Sequence, residues 1–317
     1  MPPQPQIAIY FTDPDADDYP FSDDDYRQAY GVLADLLKER GTASVVVRGQ
    51  ETYLGGNTFN GCWRWNGNDF VRENGRCESS LIFNRGRFAP DGTERMLNDI
   101  TLNTLCDDKA WTYRTFEEFS PKSLIVRSAS EVAAAETLIP SSFVVAKPNE
   151  GLGGDGILIG PKEEILAEIP SFPYILQEFV DTSGGIPGIA KGMHDFRMVS
   201  IDGEVFCVFI REPRKGSYLA NVAQGGHIWE LAVDRIPDEA MAMFRIVDKE
   251  LSRFPHRIYC VDVARGKDGR WKLIELNAQA GLSYADYSGR NDPTGKAKGA
   301  HRYFHRLADL LAECARN

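Results

Sequence analysis

Two carboxylates and an asparagine near the C-terminal end could together hold a cation. They lie in Asp262-Val263-Ala264-Arg265-Gly266-Lys267-Asp268-Gly269-Arg270-Trp271-Lys272-Leu273-Ile274-Glu275-Leu276-Asn277. Asp268-Gly269 is a strong hairpin signal, because a two-residue primed turn needs positive φ. Such a turn pairs Lys267 with Arg270, Val263 with Ile274 and Asp262 with Glu275. Side chains alternate along a strand. Val261, Val263, Ile274 and Leu276 therefore share one face, and Asp262, Glu275 and Asn277 share the other. Carboxylates placed directly opposite repel each other, so a positive group belongs between them. Oxygen ligands suit a hard cation such as magnesium, which keeps waters and substrate phosphates in its shell. The same residues also suit a surface hairpin with solvated acids.

A glycine cluster upstream points to phosphate. Val144-Val145-Ala146-Lys147 reads as a short buried strand that runs into Pro148-Asn149-Glu150-Gly151-Leu152-Gly153-Gly154-Asp155-Gly156 and then Ile157-Leu158-Ile159. Gly151, Gly153, Gly154 and Gly156 allow close approach of the backbone, with N–H groups aimed at phosphate oxygens. No helix follows these glycines, so the loop matches neither the Walker lysine loop nor the dinucleotide fingerprint. Lys147 stands where it could pair with a phosphate as a point charge. An ordinary glycine-rich hairpin is the plainer alternative.

The order of these segments carries a family resemblance. Lysine and glycine loop are followed by Gln177-Glu178-Phe179-Val180, His194-Asp195-Phe196-Arg197, Arg211, Asn221, Asp262 and Glu275-Leu276-Asn277. Taken together over roughly residues 95–290, they resemble the ATP-grasp superfamily. Within it, the chain is similar to the glutathione synthetases and to the ligases that add glutamate to a ribosomal protein. The resemblance implies an α/β chain with α+β lobes. It comprises an N-terminal α/β pre-ATP-grasp domain over 1–95, a small lobe with a glycine-rich lid over 96–180, and a large lobe with the metal site over 181–317.

It also implies a chemistry: a carboxylate–amine ligase. A carboxylate takes the γ-phosphoryl of ATP, an amine attacks the acyl phosphate, and an amide, ADP and phosphate result. Phosphoryl transfer of this kind needs positioning and charge neutralisation. Asp262, Glu275 and Asn277 would hold one or two magnesium ions, with manganese as the substitute. Lys109 and Lys147 would grip phosphates, Gln177, Glu178, Phe179 and Val180 would meet adenine, and Arg211, Arg197 and Asn221 would act at the reacting centre. A kinase acting on a hydroxyl, or a non-catalytic nucleotide-binding regulator, are the competing readings. The substrates implied are a small-molecule or peptide carboxylate and an amine. Asn277-Ala278-Gln279-Ala280-Gly281 departs from the family's commoner residues, which leaves the identity of both open.

Composition bounds the remaining classes. The chain has 317 residues, 43% hydrophobic and 26% charged, as ordinary globular proteins do. A net charge of −10 argues against a nucleic-acid partner. No apolar run approaches the ~20 residues of a membrane span, and the N-terminus lacks a signal core. Six cysteines without Cys-x-x-Cys spacing argue against structural zinc and disulfides and suit a reducing cytoplasm. His301 and His305 lack a third ligand and read as surface residues. A homo-oligomer is compatible with all of this.

The elements that must position these residues follow from periodicity. Strands are expected over Gln6–Phe11, Ala43–Val47, Ser80–Asn84, Leu124–Val126, Ser142–Lys147, Ile157–Ile159 and Tyr174–Val180. Helices are expected from Ser22 to Gly41, over Met96–Lys109, Ser130–Leu138, Pro161–Ile169, Ile236–Phe254 and Thr294–Ala315. Phe196–Ile201 and Glu204–Glu212 flank Asp202-Gly203, a second hairpin signal. A strict register there puts Arg197 and Arg211 on opposite faces, so either a bulge intervenes or Arg211 alone reaches the site. The aspartate-rich run Asp13–Asp25 reads as a solvated loop, with a rim for amine substrates as the alternative.

Overall fold

The computed structural model describes residues 4–15, 21–151, 154–220 and 225–317, the side chains of 133–136 excepted. The first elements are β1 (Gln6–Phe11), α1 (Asp24–Glu39), β2 (Ala43–Arg48), β3 (Tyr53–Gly55), β4 (Thr58–Trp65), β5 (Phe70–Glu78), β6 (Leu81–Asn84) and β7 (Met96–Leu97). Next come α2 (Ile100–Asp107), α3 (Lys109–Thr115), β8 (Ser123–Val126), α4 (Ala129–Leu138), β9 (Phe143–Pro148), β10 (Leu158–Pro161), α5 (Lys162–Glu168) and β11 (Tyr174–Glu178). The last are β12 (Asp195–Ile201), β13 (Glu204–Glu212), β14 (His227–Leu231), α6 (Asp238–Leu251), β15 (Ile258–Arg265), β16 (Trp271–Asn277), α7 (Tyr284–Tyr287) and α8 (Gly299–Arg316). Among the described residues, no helix is long and apolar enough to cross a membrane.

The chain divides into two compact units. One comprises Met1–Ile100, Phe254–Ile258 and Gln279–Asn317; the other comprises Thr101–Arg253 and Tyr259–Ala278. Gln279–Asn317 thus pack in the first unit, whereas the sequence placed them with the lobe starting at residue 181. The first unit holds parallel β2, β1 and β6, the mixed α/β layer that alternating strand, helix and strand implied. Its 49–75 segment holds β3 and most of the β4–β5 hairpin, with β3 also paired to β4.

The second unit contains two antiparallel sheets, in the orders β10-β9-β11-β8 and β14-β13-β12-β15-β16. The smaller sheet buries Val126, Val144, Ala146 and Leu176 on one face against Ile165 of α5. The opposite face carries Lys147 and Gln177, because alternation sends them the other way.

Several boundaries move, for local reasons. Asp23 rather than Ser22 caps α1, with its side chain accepting from Asp25 N–H at 2.8 Å. The expected helix Met96–Lys109 is a short strand followed by α2 and α3, and Asp108 restarts the helix by accepting from Trp111 N–H at 3.1 Å. Pro237 delays α6 to Asp238. Lys298, with φ of 47°, delays α8 to Gly299.

Candidate active site

The acidic hairpin brings Asp262 opposite Glu275, but by a route the turn rule did not anticipate. The loop holds three residues, not two. Gly269 N–H donates to Gly266 O at 2.8 Å, Gly266 N–H donates to Arg270 O at 2.8 Å, and Gly269 takes φ of 84°. A type I turn closed by a left-handed glycine has this form. Arg265 therefore pairs with Trp271 and Val263 with Leu273, not with Ile274. The register shifts between Asp262 and Val263, with Ile274 the extra residue. Ile274 leaves the core face expected for it and lines a cleft beside Glu275. Turn and bulge offset each other, so the acidic pair is the expected one.

A second bulge settles the arginines. Asp202 and Gly203 take φ of 52° and 85°, as a primed turn requires. The register of β12 with β13 then shifts between Val199 and Ser200, so that Asp195 pairs with Arg211 and Arg197 with Phe209. Arg197 and Arg211 consequently share a face. Arg197 clasps Asp262 through Nε to Oδ1 at 2.7 Å and Nη2 to Oδ2 at 2.6 Å. Arg211 Nη2 donates to Asp262 Oδ2 at 2.8 Å and also to Asp195 Oδ2. Asp195 was not singled out by itself, although alternation from Arg197 on β12 places it there.

Two positive and two negative side chains thus meet, Arg211 and Asp262 buried, Arg197 and Asp195 half-buried beside them. Burial pushes Asp262 up, but Arg197 and Arg211 outweigh it and hold the carboxyl below the usual range. Burial pushes Asp195 up to about 6, against the pull of Arg211. Asp195 Oδ1 and Arg211 Nε find no hydrogen-bond partner among the described residues. Buried polar atoms are seldom left so, and the pair presents one acceptor and one donor in need of a partner.

The lysines approach from other elements. Lys109 begins α3, is buried, donates from Nζ to Gly151 O at 2.9 Å and stands 3.3 Å from Glu275 Oε1. Asn149, at the head of the glycine loop, ties that loop to the same helix. Its Oδ1 accepts from Ala110 N–H at 3.0 Å and its Nδ2 donates to Asp108 at 3.1 Å. Lys147, buried on β9, lies 5.0 Å from the centre of the Tyr113 ring. Burial lowers its pKa, and Glu275, Asp262 and Asp195 offset part of that. Tyr113 in turn donates to Ile274 O at 2.8 Å. In the loop, Gly151, Gly154 and Gly156 all have positive φ, which a residue with a Cβ adopts at a cost. Gly153 and Asn221 lie outside the described residues.

Gln177, Glu178, Phe179 and Val180 all line a cavity of about 120 Å³, together with Lys147, Asp195, Arg211 and Glu275. Arg211, at the wall, bonds Asp262, and Arg197 holds the same carboxylate. Phe179 and Tyr218 add an aromatic edge, with ring centroids 5.3 Å apart. His194, also at the wall, is satisfied as a neutral ring. Its Nδ1 lies 2.9 Å from Gly192 O, its Nε2 accepts from Arg265 N–H at 3.2 Å, and burial lowers its pKa.

The donor set can be tested against a divalent cation bearing phosphates. A carboxylate offers about four lone-pair sites. Asp262 uses three on arginine, which leaves one on Oδ1. Among the described residues, Glu275 engages Lys109 through Oε1. Among the described residues, no three His, Cys, Asp or Glu side chains cluster as a closed metal cage. The spare lone pair on Asp262 Oδ1 and the Glu275 carboxylate are the kind of oxygen donor magnesium takes, an ion that completes its shell with phosphates and water.

Comparison with known proteins agrees with this geometry. Residues 119–292 match the model of the RimK-like ATP-grasp domain. Solved structures share the fold along whole chains. D-alanyl-alanine synthetase A from Vibrio cholerae O1 biovar eltor is 10% identical, with a TM-score of 0.66 and 99% and 98% of the two chains covered. The Chryseobacterium gregarium RiPP-associated ATP-grasp ligase, solved with ADP and a leader and core peptide, is 12% identical, with a TM-score of 0.60 and 98% and 97% covered. The ATP-grasp ligase PsnB, solved with a minimal precursor, Mg and ADP, is 14% identical, with a TM-score of 0.56 and 98% of each chain covered. No curated protein sequence matches the chain. The matched segment spans more than half of the residues and contains Lys147, Asp195, Arg197, Arg211, Asp262 and Glu275: this chain belongs to the RimK-like ATP-grasp family.

Proposed function

We propose that this protein is an ATP-dependent carboxylate–amine ligase that forms an amide or peptide bond through an acyl phosphate and releases ADP and phosphate. The observation that carries the reading is the ion-paired group Arg197–Asp262–Arg211–Asp195, of which Arg211 and Asp195 line one cleft together with Lys147. Such fixed charges act where negative charge develops, in a site shielded from water. Asp262, Glu275 and Asn277 would hold one or two magnesium ions, whose charge would neutralise phosphate oxygens. Lys109 and Lys147 would grip the phosphates. Gly151, Gly153, Gly154 and Gly156 would cover them and exclude the water that hydrolyses an acyl phosphate.

Gln177–Val180 would meet adenine. Glu178 N–H already donates to Lys122 O at 2.8 Å and Phe179 N–H to Phe143 O at 3.4 Å, so the contacts fall to Val180 and to carbonyl oxygens. Arg211, Arg197 and Asn221 would stabilise the tetrahedral centre formed when the amine attacks. Substrates of amino-acid or peptide type fit best, since the structures that share the fold are named for D-alanyl-alanine synthesis and for precursor peptides. A cytoplasmic setting belongs to the same reading and suits the six free cysteines. With ATP, magnesium and a panel of amino acids and peptides, hydroxylamine should trap a hydroxamate. ADP formation at full rate with no hydroxamate and no stimulation by amines would replace the ligase with a kinase.

A further inference from the structure

The second unit contains a larger cavity whose lining, Glu178 apart, has no part in the proposed reaction. It holds about 480 Å³ and lies among α3, the edge strand β8, β11 and β16. It shares only Glu178 with the cleft described above and includes neither Asp262, Arg211 nor Lys147. Its floor is apolar: Ala110, Tyr113 and Ile175 form one buried cluster, against which Ile125 packs. Its walls carry both signs of charge, with Arg114, Lys122 and Lys272 on one side of the account and Glu117 and Glu178 on the other. Among the described residues, Lys122, Glu117 and Glu178 make no ion pair. Lys272 donates to Ser120 O at 3.3 Å, so its ammonium is held at the wall.

These features select a ligand class. A nucleotide polyphosphate could pair with the three cations but would leave two carboxylates facing its negative charge. A simple anion gains nothing from the floor, and a neutral apolar molecule leaves the charges desolvated. A zwitterion with an apolar side chain uses all three: carboxylate to the lysines and arginine, ammonium to the glutamates, side chain to the floor. We propose that this cavity binds an apolar amino acid or small dipeptide, separately from the reaction centre.

Occupancy also bears on the cleft, a consequence that rests on the nucleotide reading given under Proposed function. Glu178 is a wall of both cavities. Lys109 begins the helix that carries Ala110 and Tyr113, and Tyr113 holds Ile274 O next to Glu275. By linkage, the amino acid and the nucleotide must change each other's affinity by the same factor.

Isothermal titration of the full chain with L-leucine and L-phenylalanine tests this, with leucinamide and N-acetyl-leucine as singly charged controls and the non-hydrolysable analogue AMPPNP with magnesium as the nucleotide. At least one amino acid should bind at a single site, and each control should bind at least about fivefold more weakly. Lys122→Glu and Glu117→Lys, both at exposed positions, should each weaken amino-acid binding by about fivefold or more while AMPPNP binding in the absence of amino acid stays as in the parent. No heat at amino-acid concentrations up to about 10 mM, binding unaffected by both variants, or full competition with AMPPNP would overturn the site. An AMPPNP affinity unchanged by saturating amino acid would overturn the coupling. Failure of AMPPNP itself to bind, with amino-acid binding intact, would count against the proposed function and leave this site standing.

Discussion

Asp262→Asn separates two roles that the geometry gives to one carboxylate. Asp262 is 1% exposed and accepts three hydrogen bonds from Arg197 and Arg211. Each bond to a charged group contributes roughly 1.5–3 kcal/mol net. Desolvation of the ions bounds the sum, and removing one partner of a buried pair costs about 3–5 kcal/mol. The amide keeps one oxygen and turns an NH2 toward guanidinium N–H groups, so donor meets donor on one side. The variant should therefore lose about 3 kcal/mol of unfolding free energy as well as magnesium-dependent turnover.

Glu275→Gln provides the contrast. The Glu275 side chain is 23% exposed and meets Lys109 at 3.3 Å. Its replacement should lose turnover with no more than about 1 kcal/mol of stability. Urea melts and ADP release, measured on both variants, read the two quantities separately. A double-mutant cycle of Asp262→Asn with Arg197→Met should show a coupling of about 2 kcal/mol or more. If Asp262→Asn melts within about 1 kcal/mol of the parent and the coupling vanishes, the carboxylate is not the anchor of the cleft floor.

Two further outcomes follow from the lysine and the loop. Burial lowers the Lys147 pKa, so the unfolded chain still holds that proton at a pH where the folded chain has lost it. Stability should rise with pH through the lowered value, while the KM for ATP, which needs the ammonium, should worsen over the same range. Lys147→Arg stays charged there, and an alkaline rise in KM that persists in this variant would assign it to another group. Gly156 has φ of 68°, and a Cβ there would stand 3.0 Å from Pro148 Cγ and 3.1 Å from the Tyr174 hydroxyl. Gly156→Ala should cost about 1–2 kcal/mol and raise the KM for ATP; a thermal melt matching the parent would show that the loop tolerates the substitution.

Much of the cleft was readable from local rules. Alternation along a strand put Asp262, Glu275 and Asn277 on one face, and Asp202-Gly203 marked its primed turn, because both depend only on neighbouring residues. The order of lysine, glycine loop and acidic pair pointed to the family because order along the chain is itself a property of the sequence. Register over longer distances was not readable. Asp268-Gly269 is compatible with a two-residue or a three-residue loop, and the surrounding sheet selects the latter, with Ile274 as compensating bulge. The bulge in β13 that turns Arg197 to the side of Arg211 leaves no mark in the sequence either, since an extra residue in a strand of apolar side chains breaks no pattern. Helix ends moved wherever a cap or a positive φ outweighed periodicity, as at Asp108 and Lys298. Tertiary structure alone decided which charges meet. Lys109 reaches Glu275, and Arg197 and Arg211 converge on Asp262, because sheets and helices distant along the chain pack together and exclude the water that would otherwise keep those ions apart.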